Sequence, residues 1–103
     1  MVGRVVWSEE ALDDIDAIAA YMARDSMTHA RRFVSEVCCL VDLLVTQPRM
    51  GRMVPELRQD RIREHFIYSY RVVYEIKGAD IHVLAVIHGK RLLDSVGERF
   101  NLP

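Results

Sequence analysis

The chain has 103 residues, half of them apolar and 28% charged, with a formal net charge of −1. This is the size of one small domain with enough apolar side chains for a core. It excludes a disordered chain, and it argues against a protein that grips nucleic acid broadly, which carries a clear basic excess. From the N-terminus, Gly3–Trp7 ("GRVVW") predicts a short strand. Ser8 then offers a helix cap, with Glu9 and Glu10 at the positive end of the helix. Leu12, Ile15, Ile18, Ala19 and Met22 form one apolar stripe, and Asp13, Asp14 and Asp16 are expected to face solvent. A second helix begins at Ser26 or Thr28 and keeps helical spacing through Ala30, Phe33, Val34, Val37, Leu40, Val41 and Leu44 to about Gln47. Pro48 ends it. Cys38 and Cys39 are adjacent, too close for an unstrained disulfide, and are expected to be buried free thiols.

Gln47–Leu57 reads as a turn and an extended piece. Asp60–Ile76 has strand composition, with a break near Tyr68–Ser69 that no glycine marks. Lys77–Asp80 is a clear turn, Ile81–Gly89 the last long strand, and the tail a short helical turn or a loose end. The order β-α-α-β-β-β implies an α+β fold: one domain over residues 1–103, with a two-helix hairpin packed on one face of an antiparallel sheet. No apolar run approaches the ~20 residues of a membrane span. No charged-then-apolar leader opens the chain. A reducing cytoplasm is the expected compartment.

Pairing the last two strands around Lys77–Asp80 places Ile76 opposite Ile81, Tyr74 opposite Val83, Val72 opposite Ala85 and Tyr70 opposite Ile87. By alternation these residues face the helices. Arg71, Val73 and Glu75 then share the second face with Val86, Leu84 and His82, and His88 lies diagonal to Arg71. A slip of one residue would send Arg71 and His88 to opposite faces. Two helices cannot cover both faces, so Val73, Leu84 and Val86 are expected to await a partner, unless the tail folds over them.

Arg71 is a fixed cation suited to phosphate, His88 a general acid or base near neutral pH, and Glu56 a candidate base. Together they suit RNA cleavage by attack of a 2′-hydroxyl on its own phosphate. The alternative is that Arg71 and Glu75 are surface charges and His88 a polar strand end. Lys90 and Arg91 would add a basic rim. No phosphate-binding glycine loop, nucleophile elbow or metal-ligand spacing is present, so no cofactor or metal is expected.

The blocks "VVWSEEALDDIDAIAAYMA", "ARRFVSEV", "QPRMGRMVPEL" and "REHFIYSYRVVYEIKGADIHVLAVIHGKR", in this order, resemble the RelE/ParE superfamily of bacterial type II toxins over nearly the whole chain. The resemblance implies the same β-α-α-β-β-β layout. It also implies a cytoplasmic toxin held in a hetero-oligomer by an antitoxin whose C-terminal segment wraps it and would cover Val73, Leu84 and Val86. The family divides by target. "YRVVYEI", "VIHGKR" and the near-zero charge look closer to ParE-like inhibitors of DNA gyrase than to RelE-like toxins that cut mRNA on the ribosome. A YoeB-like ribonuclease branch uses Glu, Arg and His where Glu56, Arg71 and His88 fall, but follows its His with Tyr where this chain has Gly89. A ParE-like gyrase inhibitor is therefore the first expectation, and a ribosome-dependent mRNA endonuclease the second.

Overall fold

The structure, a computed structural model, describes residues 3–89. Strand β1 (Val5–Trp7) leads into α1 (Glu9–Ala23) and α2 (Met27–Thr46). A 3₁₀ turn at Pro48–Met50 leads to β2 (Arg52–Met53), β3 (Ile62–Ile67), β4 (Tyr70–Lys77) and β5 (Asp80–His88). Both helix starts follow the sequence signals. Ser8 Oγ accepts from Ala11 N at 3.0 Å, and Ser26 Oγ accepts from His29 N at 3.1 Å, so each cap satisfies an amide that the helix leaves unpaired.

The five strands lie in the order β1-β5-β4-β3-β2. All neighbours are antiparallel except β1, which pairs with β5 in parallel, Val5 opposite Ile81 and Trp7 opposite Val83. The expected α+β architecture is therefore present, with one extra two-residue strand, β2, within the segment read as extended. The main core lies between the helices and one sheet face. Phe33, Val37, Val41 and Leu44 of α2 meet Val72 and Tyr74 of β4 and Ile81, Val83 and Val86 of β5. Within it the Tyr74 hydroxyl, fully buried, donates to Pro48 O (2.7 Å) and accepts from Gly51 N (3.0 Å). A polar bridge thus pins the chain as it leaves α2.

The β4–β5 register follows expectation for Ile76–Ile81 and Tyr74–Val83 and then departs from it. Leu84 forms a bulge, so Val73 pairs with Ala85, Val72 with Val86, Arg71 with Ile87 and Tyr70 with His88. The other edge of β5 shows what accompanies the bulge. Strand β1 stops at Trp7, and past Val83 the edge of β5 faces α1. Ser8 Oγ donates to Leu84 O (3.3 Å), and Asp14 Oδ2 accepts from Val86 N (2.9 Å). The capping side chain of Ser8 and one side chain of α1 thus stand in for the missing strand. Asp14, expected to point to solvent, is turned towards the sheet for this reason.

Other expectations are corrected. Ala85 and Ile87 leave the helix face, and Val86 joins it, fully enclosed. The second sheet face has its own cover within the chain. Val54 and Leu57, between β2 and β3, pack with Ile62, Val73, Leu84, Ala85 and Ile87 in a second apolar cluster. In α1 the buried residues are Ala11 and Ile15, while Leu12 is exposed. Cys38 and Cys39 are exposed free thiols, because Phe33, Val37, Leu40, Val41 and Leu44 supply the buried stripe of α2.

Candidate functional site

Arg71 and Glu56 meet, as the sequence suggested. The loop between β2 and β3 carries Glu56 over the sheet, and its Oε2 lies 2.8 Å from Arg71 Nη1. The same Nη1 donates to Glu64 Oε1 at 3.2 Å, and Nε and Nη2 both donate to Gly89 O, at 3.1 and 2.9 Å. Glu64 was not singled out from the sequence. It lies on β3, opposite Val73 of β4 and Arg52 of β2, and its carboxylate is completely enclosed. Its other oxygen takes Arg52 Nε at 2.7 Å. Arg52 in turn lies over the Phe66 ring, 5.7 Å from its centroid. The result is a chain of alternating charge, Glu56–Arg71–Glu64–Arg52, across the second sheet face. One signal was available. In Ile62–Glu64–Phe66, a charge occupies a strand position that alternation gives to the same face as a buried isoleucine.

His88 does not join this cluster. The bulge places it opposite Tyr70 on the helix face, with its ring edge-on to the Tyr70 ring at 5.6 Å. Tyr70 packs in turn against Phe33 at 5.4 Å. Arg71 and His88 therefore belong to opposite faces of the sheet, and the three residues Glu56, Arg71 and His88 do not surround one reacting atom. Of the residues expected to await a partner, Val73 is buried under the β2–β3 loop, Val86 is buried under the helices, and Leu84 is partly exposed. Lys90 and Arg91 lie outside the described residues. Among the described residues no group of three His, Cys, Asp or Glu side chains could hold a metal ion, and no helix is long and apolar enough to cross a membrane.

A third feature lies on the outer side of the helical hairpin. Ala19, Ala20 and Ala23 of α1 and Met27, Ala30 and Val34 of α2 line an open groove of about 520 Å³, joined by Arg31 and Ser35. Small side chains on both helices leave room there for another element to approach closely. Met27 is more than half exposed.

Comparison with known proteins places this geometry. The fold matches a structure from the chromosomal ParDE toxin–antitoxin system of P. aeruginosa with a TM-score of 0.68 at 21% identity, over 84% of this chain and 96% of that one. "Toxin RelE2" of Caulobacter vibrioides is 25% identical over 91 residues, 88% of this chain and all of that protein. "Putative toxin Y4kP" of Sinorhizobium fredii is 30% identical over 88 residues, 82% of this chain and 86% of its own length. The model of the family described as ParE toxin of type II toxin-antitoxin system, parDE, matches residues 5–93. The chain belongs to the ParE toxin family of type II toxin–antitoxin systems.

Proposed function

We propose that this toxin inhibits its target by binding it, with DNA gyrase as that target, and that its cognate antitoxin docks in the groove between α1 and α2. The observation that carries the binding mode is the engagement of Arg71. Its Nε, Nη1 and Nη2 all donate within the chain, to Gly89 O, Glu56 and Glu64. A guanidinium so committed has little left for a phosphate, and two carboxylates beside it repel one. His88, the proposed acid, is on the far face of the sheet. The choice of gyrase rests on the ParE family and on the resemblance of "YRVVYEI" and "VIHGKR" to gyrase inhibitors.

The cover of Val54 and Leu57 over Val73 favours the helical groove over the second sheet face as the antitoxin site in this reading. An apolar groove flanked by two helices suits an amphipathic helix laid along it. Its small side chains permit the close approach that such packing needs.

One observation favours the second reading, ribosome-dependent mRNA cleavage: Glu56 and Arg71 do lie together, at 2.8 Å. A supercoiling assay with gyrase and toxin freed of antitoxin separates the two. Loss of supercoiling with accumulation of cleaved DNA is the expected result. Full supercoiling by folded toxin refutes the gyrase reading and transfers the proposal to the ribosome.

A further inference from the structure

The two hairpins of the sheet are closed by two-residue turns, Gly78–Ala79 between β4 and β5 and Tyr68–Ser69 between β3 and β4. At the first position of each, the backbone is left-handed, with φ of +60° at Gly78 and +53° at Tyr68. Glycine is the residue that such a turn position favours. A bulky aromatic residue there is strained, and strain of this kind persists where the surroundings hold it and the side chain is needed. The surroundings do hold it. The Tyr68 ring lies 5.5 Å from His29 and stacks on Phe33 at 6.5 Å. The Glu36 carboxylate beside its hydroxyl raises its pKa above the ordinary tyrosine value. Even so, Tyr68 remains 49% exposed. The contacts fix the ring at the surface and do not take it into the core.

Arg4, Arg49, Arg52, Arg61, Arg63 and Arg71 each face a carboxylate. Arg24, Arg31, Arg32 and Arg58 have no ion-pair partner among the described residues, and one of the four, Arg32, lies beside Tyr68, close enough to act on its hydroxyl. An exposed tyrosine held beside an exposed arginine, with Glu36 on the same patch, has the residue types of a binding hot spot.

We infer that Tyr68 and Arg32 form the target-engaging surface of the toxin, and that they receive a protein segment carrying an acidic side chain beside an apolar one. The inference rests on the toxin reading above. Tyr68 would take the apolar group against its ring and Arg32 the carboxylate. A protein fits better than a nucleic acid, because a single carboxylate can meet Arg32 alone, whereas successive phosphates would also meet the Glu36 carboxylate. This face of α2, with His29, Phe33 and Glu36, is turned away from the face that lines the groove with Ala30, Arg31 and Val34. Target and antitoxin would therefore be read by opposite sides of one helix.

The test uses full-length toxin expressed in cells, with and without antitoxin. Tyr68→Gly removes the ring and relieves the backbone, and Arg32→Ala removes an exposed charge. Both variants are expected to lose growth inhibition by tenfold or more in inducer dose. Both should keep antitoxin affinity within twofold, and unfolding midpoints within about 5 °C of wild type, the size of a ~1 kcal/mol effect in a domain of this length. Full toxicity in both variants overturns the inference. So does a loss of antitoxin affinity, which would assign the patch to the antitoxin. Binding of a single-stranded oligonucleotide by wild type that Tyr68→Gly abolishes would also overturn it, by making the ligand a nucleic acid. Wild-type chain that fails to inhibit growth, although folded, refutes the toxin reading itself and this surface with it.

Discussion

Replacing Arg71 by methionine should act first on stability and only through it on toxicity. Glu64 is fully enclosed and Arg71 only 11% exposed, so their pair is a buried one. Removing one partner from a buried pair costs roughly 3–5 kcal/mol, because the remaining charge is stranded. Here Glu64 keeps Arg52 Nε at 2.7 Å, which sets the cost at the lower end, about 3 kcal/mol. Glu56 is 39% exposed, and its pair with Arg71 adds at most ~1 kcal/mol. The two donors lost from Gly89 O add about another 1 kcal/mol. Against a total stability of about 5–15 kcal/mol, a loss of roughly 3–5 is severe. Denaturant titration of the isolated toxin, followed through the fluorescence of its single tryptophan, Trp7, measures it. The double variant Glu64→Leu/Arg71→Met should recover most of the loss, since an apolar pair of similar volume avoids the stranded charge. A cost below ~1 kcal/mol for Arg71→Met, together with complete loss of toxicity, would refute this reasoning and return Arg71 to the chemistry of a ribonuclease.

Tyr74→Phe should cost about 1–3 kcal/mol in the same titration, because it leaves Gly51 N and Pro48 O without their buried partner. Asp14→Ala should lower stability by about 1 kcal/mol and speed hydrogen exchange at the Val86 amide, which it accepts from. Ala20→Glu in the α1–α2 groove should weaken antitoxin binding at least tenfold in calorimetry while leaving the unfolding midpoint unchanged. Gly3→Ala should be poorly tolerated in thermal melts, since a Cβ there would fall 1.7 Å from the backbone oxygen of Ala79 and force β1 off β5.

The helices and the β4–β5 turn were legible because their signals are local. Ser8 and Ser26 cap where the sequence places them, and Gly78 marks its turn. The register was legible only from the turn to Tyr74–Val83. Beyond it the bulge at Leu84 has no glycine to announce it, and the side chains that serve the neighbouring edge, Ser8 and Asp14, are more than 70 residues away in sequence. That single residue sent His88 and Val86 to the helix side, Ala85 and Ile87 to the other, and separated the expected Glu56–Arg71–His88 set. The cover over Val73 was hidden for a related reason. Val54 and Leu57 belong to an irregular segment whose path no periodicity describes. Tyr68 was read as an uncertain break because the sequence lacks the glycine its backbone geometry calls for.

The parallel pairing of β1 with β5 has a consequence for the protein as it is made. Arg4 and Asp80, joined at the start of that pair, are 76 residues apart. At ribosomal speeds of about 5–20 residues per second, β1 waits roughly 4–15 s for its partner to be synthesised. The α1–α2 hairpin depends on no such delay, since its contacts are local in sequence. Each new toxin molecule thus passes through an interval in which its helical groove can already exist while its sheet cannot be complete. An antitoxin that recognises the groove can capture the chain in that interval, before the hairpin carrying Tyr68 has been built. Release of arrested nascent chains of increasing length into antitoxin would show at what length capture begins.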